Sequence, residues 1–243
     1  MTSDVRIEPS AKRVRAYLGG RPVADTRHPV LVWEKPYYPT YYIPVEDVLA
    51  ELEPTGGTRH SDRFGEGAIY DVRTARGAAV RYEQSPVPEL RGLVRLAWDA
   101  MDQWFEEDEP VHVHPRDPHT RVDVLASSRH VVVRIDDVVV ADSHRPQILF
   151  ETGLPPRYYL PLTDVRMDLL RPSEHRTACP YKGTASYWHV VIDGTEHTDV
   201  VWHYPTPLPE SQKIAGLACF YDERVDITVD GQPQERPTTP FSP

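Results

Sequence analysis

The residues best suited to chemistry form one short run, Cys179-Pro180-Tyr181-Lys182-Gly183, in the second half of the chain. A cysteine is a nucleophile. A lysine can anchor an anion or, when burial lowers its pKa, act as a base or an imine-forming amine. We align this run with Arg63-Phe64-Gly65-Glu66-Gly67, which keeps only the final glycine. Because a purely structural motif should survive in both halves, Lys182, Cys179 and Tyr181 are our candidate catalytic residues. The alternative is a solvated lysine beside a buried cysteine.

Aromatic residues are dense around this run, and side chains on alternate strand positions share one face. Such a set can line a pocket for a flat or cationic ligand. Trp202 and Tyr204 stand out because we align them with the charged residues Arg81 and Glu83. The alternative is core packing, the usual role of large aromatic side chains. The candidate ligand-binding residues are Glu151, Tyr158, Trp188, Trp202 and Tyr204.

Two histidines suggest a different chemistry. His112 and His114 would share a face on a strand, and imidazole nitrogens are common zinc ligands. No third ligand stands at a fixed spacing, and the chain has no Cys-x-x-Cys pair. It also lacks a Gly-x-Gly-x-x-Gly run, a phosphate-binding Gly-Lys-Ser/Thr loop and a Gly-x-Ser-x-Gly elbow. We therefore predict no metal and no other cofactor. A metal-assisted enzyme that uses His112 and His114 is the weakest alternative.

A tandem repeat must position these residues. Val23-Ala24-Asp25-Thr26 recurs as Val140-Ala141-Asp142-Ser143, and Tyr41-Tyr42-Ile43-Pro44 recurs as Tyr158-Tyr159-Leu160-Pro161 at the same spacing. The repeat indicates two copies of one domain. Alternating apolar residues, turn pairs and 25 prolines predict many short strands rather than long helices.

The boundaries of the copies follow from the repeat. We predict a first copy over 11–126, a second copy over 127–233, and flexible termini at 1–10 and 234–243. Arg121-Val122-Asp123-Val124 resembles Arg224-Val225-Asp226-Ile227, so both are assigned as the closing strand of their copy. This assignment gives the first copy an insertion over 99–119, whose first part, from Asp99 to Glu109, is predicted to be a short acidic helix.

The composition excludes some classes of function. The 243-residue chain has a formal net charge of −10, which argues against nucleic-acid binding because Lys and Arg supply most of that affinity. Its polar N-terminus and the lack of a long apolar run predict neither a signal peptide nor a membrane span. Two cysteines do not make a disulfide framework. We therefore expect a cytoplasmic protein.

Several motifs carry a resemblance to a known family. They are Tyr-Tyr-Ile/Leu-Pro in both copies, Cys-Pro-Tyr-Lys-Gly at 179–183, Trp-x-Tyr-Pro-x-Pro-Leu-Pro-Glu at 202–210 and Phe-Tyr-x-x-Arg-Val-Asp at 220–226. The chain resembles the bacterial domain-of-unknown-function family numbered 427, sometimes labelled nucleotidyltransferase-like, in its two-copy actinobacterial form. The resemblance implies a mainly β protein of two tandem small β domains of the β-tent type, similar to the Mss4-like and cereblon ligand-binding domains. With the predicted insertion, the first domain also carries a short helix.

Two classes of function remain open from the sequence. The first is a domain pair that binds an unknown small molecule, with or without catalysis, at an aromatic and lysine pocket in the second copy. Cereblon-like relatives, which hold cyclic ligands in an aromatic cage, support this hypothesis by analogy of fold. The second is a scaffold that presents a surface to a protein partner. The sequence predicts neither the ligand nor the oligomeric state.

Overall fold

The computed structural model describes residues 5–239 and 242, which form two compact units, Met1–Asp117 and Pro118–Pro243. Each unit contains one seven-stranded sheet and one four-stranded sheet, and all strand pairs within them are antiparallel. The prediction of two tandem, mainly β domains is confirmed. The β-tent type stays a prediction.

The described residues of the first unit form eleven strands. They are β1 (Ile7–Pro9), β2 (Val14–Leu18), β3 (Arg21–Thr26), β4 (Val30–Val32), β5 (Thr40–Pro44), β6 (Leu52–Ser61), β7 (Gly65–Val72), β8 (Ala75–Arg81), β9 (Leu93–Leu96), β10 (Gln103–Glu106) and β11 (Glu109–Val111). The seven-stranded sheet has the order β1-β4-β5-β9-β8-β7-β6, and the four-stranded sheet has the order β11-β10-β2-β3.

The second unit repeats this arrangement. Its strands are β12 (Val122–Ala126), β13 (Val131–Ile135), β14 (Val138–Ser143), β15 (Gln147–Glu151), β16 (Arg157–Leu160), β17 (Leu170–Cys179), β18 (Gly183–Ile192), β19 (Thr195–His203), β20 (Ala218–Phe220), β21 (Asp226–Val229) and β22 (Gln232–Pro233). The sheet orders are β12-β15-β16-β20-β19-β18-β17 and β14-β13-β21-β22. The shared topology makes each unit an internal control for the other.

Helical structure in the described residues is limited to short 3-10 turns. They are Val45–Asp47, Pro88–Leu90, Trp98–Ala100, Leu162–Asp164, Met167–Leu169 and Pro209–Ile214. Along the described part of the chain, no helix combines the length and the hydrophobicity that crossing a bilayer requires.

The seven-stranded sheets bury side chains on both faces. Successive side chains of a strand point to opposite faces of the sheet. All four residues of β16 are buried, so both faces are covered at this strand. Tyr158 and Leu160 join the core that also contains Val131 and Ile227 from the four-stranded sheet. Tyr159 faces the other way and joins a second, aromatic cluster. The aromatic cluster is the face on which the predicted site must be judged.

The register of the strands corrects the alignment of the two copies. Val80 lies opposite Arg95, and Trp202 lies opposite Cys219, which is the equivalent of Arg95 in the shared topology. Trp202 is therefore equivalent to Val80, and the alignment with Arg81 was wrong. The β18–β19 hairpin is longer than the β7–β8 hairpin, so a sequence alignment slips at this point.

The acidic helix predicted from Asp99 to Glu109 is wrong. After the 3-10 turn at Trp98–Ala100, the chain forms the β10–β11 hairpin. Glu106 is buried in it, and its carboxylate accepts hydrogen bonds from Tyr41 at 2.6 Å and Lys12 at 2.7 Å, which offset the cost of burying its charge. In this segment, the apolar and aromatic residues of a turn and a strand happen to recur at a spacing close to that of a helix, which explains the wrong prediction.

The predicted closing strand of the first copy is also wrong. Residues 121–124 contribute to β12, which pairs with β15 in the second unit as β1 pairs with β4 in the first. The strand equivalent to β21 is β10, which follows Gly92 at almost the spacing by which β21 follows Gly216. The insertion assigned to 99–119 therefore begins with strands that both units share.

Both predicted flexible termini contain ordered contacts. Ile7–Pro9 forms β1 and pairs with β4. At the other end, the Thr239 hydroxyl donates to Glu223 at 2.5 Å, and the Arg236 guanidinium binds Asp226 at 2.8 Å. The rest of that prediction falls partly on residues 1–4, 240, 241 and 243, which lie outside the described residues.

Candidate functional site

The structure brings together three of the predicted site residues. Lys182 lies in the turn between β17 and β18, and its ammonium group donates to Glu151 at the end of β15. The side chains of Lys182 and Glu151 are only 11% and 10% exposed. Cys179, the last residue of β17, offers its sulfur as an acceptor to the same ammonium group. This local group consists of a thiol, an ammonium and a carboxylate.

The electrostatics of this group fix the charge of the lysine. Burial alone would lower the pKa of Lys182, but the neighbouring Cys179 and Glu151 outweigh burial and raise it above the ordinary lysine value. Lys182 is therefore charged at neutral pH. A base or an imine-forming amine needs the neutral form, so this pairing opposes both roles. Lys182 holds the Glu151 carboxylate in place.

The backbone of the turn, including Tyr181, is also held by hydrogen bonds. The Tyr181 carbonyl accepts a hydrogen bond from the Ser211 hydroxyl at 3.3 Å, and the Lys182 carbonyl accepts from the Leu208 amide at 3.1 Å. Gly183 has a φ of +95°, a conformation that L side chains rarely adopt. The turn is thus tied to the segment around the 3-10 helix Pro209–Ile214.

Trp202 and Tyr204 lie in the aromatic cluster but not on an open wall. They are 7% and 5% exposed. The Trp202 indole N–H donates to the Tyr159 hydroxyl at 3.1 Å, and the two rings meet edge to face. Burial raises the pKa of Tyr159 and of Tyr204, so both phenols stay protonated. The register makes Tyr204 equivalent to Tyr82, so a tyrosine stands at this position in both units.

The last two predicted ligand-binding residues lie on the opposite face of the sheet. Tyr158 belongs to the core shared with the four-stranded sheet, and Trp188 packs against that core while stacking on His203 at 3.9 Å. The tyrosine that faces the Lys182 side is Tyr159. No local pattern in the sequence indicates which tyrosine of the Tyr158-Tyr159 pair lies on which face.

His112 and His114 do not form the strand pair that a metal site would need. β11 ends at Val111, and the next residues turn through Val113, whose φ is +72°. His114 Nδ1 lies 2.7 Å from the Pro115 carbonyl oxygen. In the described residues, the cluster of three potential metal ligands lies in the second unit and consists of His130, Asp142 and His144.

The first unit contains an open cleft of about 290 Å³. It lies between the β4–β5 connection, the end of β9 and residues 113–115. Two stacked aromatic pairs contribute to its lining. Trp98 and Trp104 have ring centroids 5.0 Å apart with an interplanar angle of 3°, and Tyr38 and His114 have centroids 4.0 Å apart at 12°. Such walls suit a flat ring.

Charged groups at the cleft balance one another. The partly buried Glu34 carboxylate accepts hydrogen bonds from the Arg95 guanidinium at 2.7 Å and from the Tyr42 hydroxyl at 2.9 Å. Exposed Lys35 and Asp99 also line the cleft. With two acids and two bases, the lining has no net charge, so it does not select a strongly charged ligand.

The second unit fills the same place with a side chain. Thr40 lies opposite Val32, and Arg157 lies opposite Leu149, so Thr40 and Arg157 are equivalent. The Arg157 guanidinium binds both oxygens of Glu223, at 2.9 and 2.6 Å, and all of these groups are buried. The short side chain of Thr40 thus leaves this space open in the first unit, whereas the side chain of Arg157 occupies it in the second.

The sequence did not identify the cleft. Its aromatic residues Trp98 and Trp104 are equivalent to Asp222 and Ile227, so the first unit carries indoles that the second lacks. That contrast is the signal that could have found the cleft. The misplaced helix over 99–109 concealed it.

A comparison with protein families supports the division into two copies. A family model described as "Domain of unknown function (DUF427)" matches residues 6–107 and 123–231, one segment in each unit. No curated protein matches the chain.

Proposed function

We propose a function for this protein, which belongs to the DUF427 family in two tandem copies: it binds a small molecule in the cleft of the first unit. The observation that carries this proposal is the contrast between Thr40 and Arg157. The two units share one fold. In the first unit this place is an open cleft lined by aromatic rings, whereas in the second a buried ion pair occupies it.

The lining of the cleft defines the class of ligand. Trp98 and the Tyr38–His114 pair offer flat apolar surfaces, while Glu34, Arg95 and Thr40 supply a few fixed polar groups. Sites for small ligands usually combine these two kinds of wall. The volume of about 290 Å³ lies near the lower end of such pockets. We therefore propose a compact, flat, polar ring compound without net charge.

The test compares ligand binding by the wild type with ligand binding by a variant whose cleft is closed. Thr40→Arg places in the first unit the side chain that fills the second, and Thr58→Arg adds the same charge on the exposed strand β6. A thermal-shift screen against uncharged heteroaromatic compounds should give ligands that stabilise the wild type and Thr58→Arg but not Thr40→Arg. Ligands that stabilise all three proteins equally would bind elsewhere and overturn the proposal.

A second candidate site is the one predicted from the sequence, around Lys182, Cys179 and Tyr181. It is supported by a partly buried thiol–ammonium–carboxylate group whose lysine the first unit lacks. Lys182→Met in the same screen separates the two sites. Loss of binding in Lys182→Met, with binding retained in Thr40→Arg, would assign the ligand to the second unit together with any catalysis there. If no compound stabilises the folded wild type, the scaffold hypothesis is favoured.

The cellular setting is part of the proposal. Cys179 and Cys219 are both free thiols, which suits a reducing compartment such as the cytoplasm of the actinobacterium that the two-copy form suggests. Cell fractionation with an antibody against the protein tests the location.

A further inference from the structure

A cluster of potential metal ligands lies at the first hairpin of the second unit. His130 directly precedes β13, and Asp142 and His144 lie at the end of β14 and just after it. Val131 pairs with Ser143, so His130 and His144 stand opposite each other across the hairpin. Asp142 is two residues before His144 and therefore projects to the same face.

The ligand atoms of these three side chains already lie close together. One atom from each lies within 4.8 Å of the others. His130 Nε2 is 2.7 Å from a carboxylate oxygen of Asp142, and the two imidazole rings stack at 4.0 Å. Asp142 and His144 are exposed, so their side chains can rotate to close around an ion without disturbing the core. The backbone of His130 is held by its amide, which donates to Asp230 at 2.9 Å.

In the first unit, the equivalent position holds an ion pair instead of a set of potential metal ligands. The equivalents of His130, Asp142 and His144 are Arg13, Asp25 and Arg27, because Val14 pairs with Thr26 as Val131 pairs with Ser143. Arg13 binds both carboxylate oxygens of Asp25, one of them at 2.7 Å. An arginine cannot ligate a metal, since its guanidinium stays protonated. The second unit keeps the carboxylate and replaces both arginines with imidazoles.

We propose that His130, Asp142 and His144 form a binding site for a divalent transition-metal ion such as Zn²⁺. Two imidazole nitrogens and one carboxylate oxygen are a ligand set that suits Zn²⁺, and water can complete a tetrahedral shell. The hairpin supplies the three ligands from two paired strands, so the site needs no large rearrangement. This site is separate from the aromatic cleft, and it differs from the sequence prediction of no metal.

The test measures Zn²⁺ bound to the full chain after removal of any purification tag. Equilibrium dialysis at neutral pH, with metal quantified by atomic emission, should show one Zn²⁺ fewer per chain in His130→Arg/His144→Arg than in the wild type. This double variant recreates the Arg–Asp–Arg arrangement of the first unit and should stay folded. His175→Ala, which removes another exposed histidine of the second unit, should bind as much Zn²⁺ as the wild type.

A structural readout assigns the bound ion. In NMR spectra of the wild type, Zn²⁺ should shift the imidazole resonances of His130 and His144. Equal Zn²⁺ stoichiometry in the wild type and the double variant, no Zn²⁺ bound to the wild type, or shifts confined to other histidines would each overturn the proposal.

Discussion

Phe64 occupies in the first unit the turn position that Lys182 occupies in the second, so the sequence alignment of Lys182 with Glu66 was wrong. Each residue precedes a glycine, Gly65 or Gly183, that pairs with the last residue of the preceding strand. Phe64 is 3% exposed and packs in the small aromatic cluster of the first unit. The same place in the fold therefore holds an apolar ring in one unit and a cation in the other.

The exchange is compensated at a distant position in the sequence. Glu34 and Glu151 are equivalent, partly buried acids, and each keeps a cationic partner. In the first unit the partner is Arg95 on β9, whereas the equivalent residue of the second unit is the buried Cys219. The fold thus requires one cation beside this carboxylate and takes it from either of two elements.

We predict that Lys182→Phe destabilises the protein by roughly 3 kcal/mol, because it leaves the largely buried Glu151 carboxylate, only 10% exposed, without its partner. Adding Cys219→Arg imports the arrangement of the first unit and should recover part of the loss. The measurement is the free energy of unfolding from urea titrations of the wild type and the two variants. A cost below about 1 kcal/mol for Lys182→Phe, or no recovery in the double variant, would contradict the compensation.

The tryptophans of the cleft should separate binding from stability. Trp104 is 3% exposed, so Trp104→Ala should cost about 3–5 kcal/mol as a large cavity in the core. Trp98 is only partly buried, so Trp98→Ala should cost less while still removing ligand binding. Urea unfolding and the thermal-shift response to a cleft ligand test both statements. Equal stability losses in the two variants would show that Trp98 belongs to the core.

Local patterns were sufficient to predict the strands. Alternation along Val14, Ala16 and Leu18, followed by a glycine turn, places a hairpin correctly because strand periodicity and turn chemistry involve near neighbours. The repeat likewise predicted two domains. Neither required knowledge of which strands pair across the sheet.

Cross-strand partners could not be predicted in this way. Glu34 meets Arg95, and Lys182 meets Glu151, only because the sheet brings their strands or turns together. A hairpin of different length shifts the alignment of the copies and misassigns the equivalents, as it did for Trp202. The open cleft also depends on the single contrast between Thr40 and Arg157, which has no local signature.

A glycine of the first unit should tolerate no side chain. A Cβ atom at Gly67 would lie 2.6 Å from a Val80 methyl carbon and 2.7 Å from a ring carbon of Tyr82. We predict that Gly67→Ala destabilises the protein by about 1–3 kcal/mol through overpacking. Gly57→Ala, on the exposed strand β6, is the control: its Cβ would lie 3.3 Å from the Thr55 hydroxyl, an exposed side-chain group that can rotate away. It should change stability by less than about 0.5 kcal/mol. Similar effects in both variants would contradict the close approach.

Asp222 should make stability fall as pH rises through the weakly acidic range. Burial is the largest influence on this carboxyl group and raises its pKa from 3.8 to about 6, although Arg157 lies 3.4 Å away. One of its buried oxygens accepts no hydrogen bond. The folded protein therefore holds a proton that the unfolded chain releases between about pH 4 and 6. Its contribution is fully present below pH 4 and is lost as pH rises through 6.

Asp222→Asn removes this titration while keeping the shape of the side chain. Other acids make stability rise with pH, so the informative quantity is the wild-type free energy of unfolding minus that of the variant. We expect this difference to fall by roughly 3 kcal/mol between pH 4 and 8, following about 1.4 kcal/mol per pKa unit. Urea unfolding at several pH values measures it. Parallel pH curves for the two proteins would show that Arg157 keeps Asp222 ionised throughout, so that the ion pair rather than burial sets its charge.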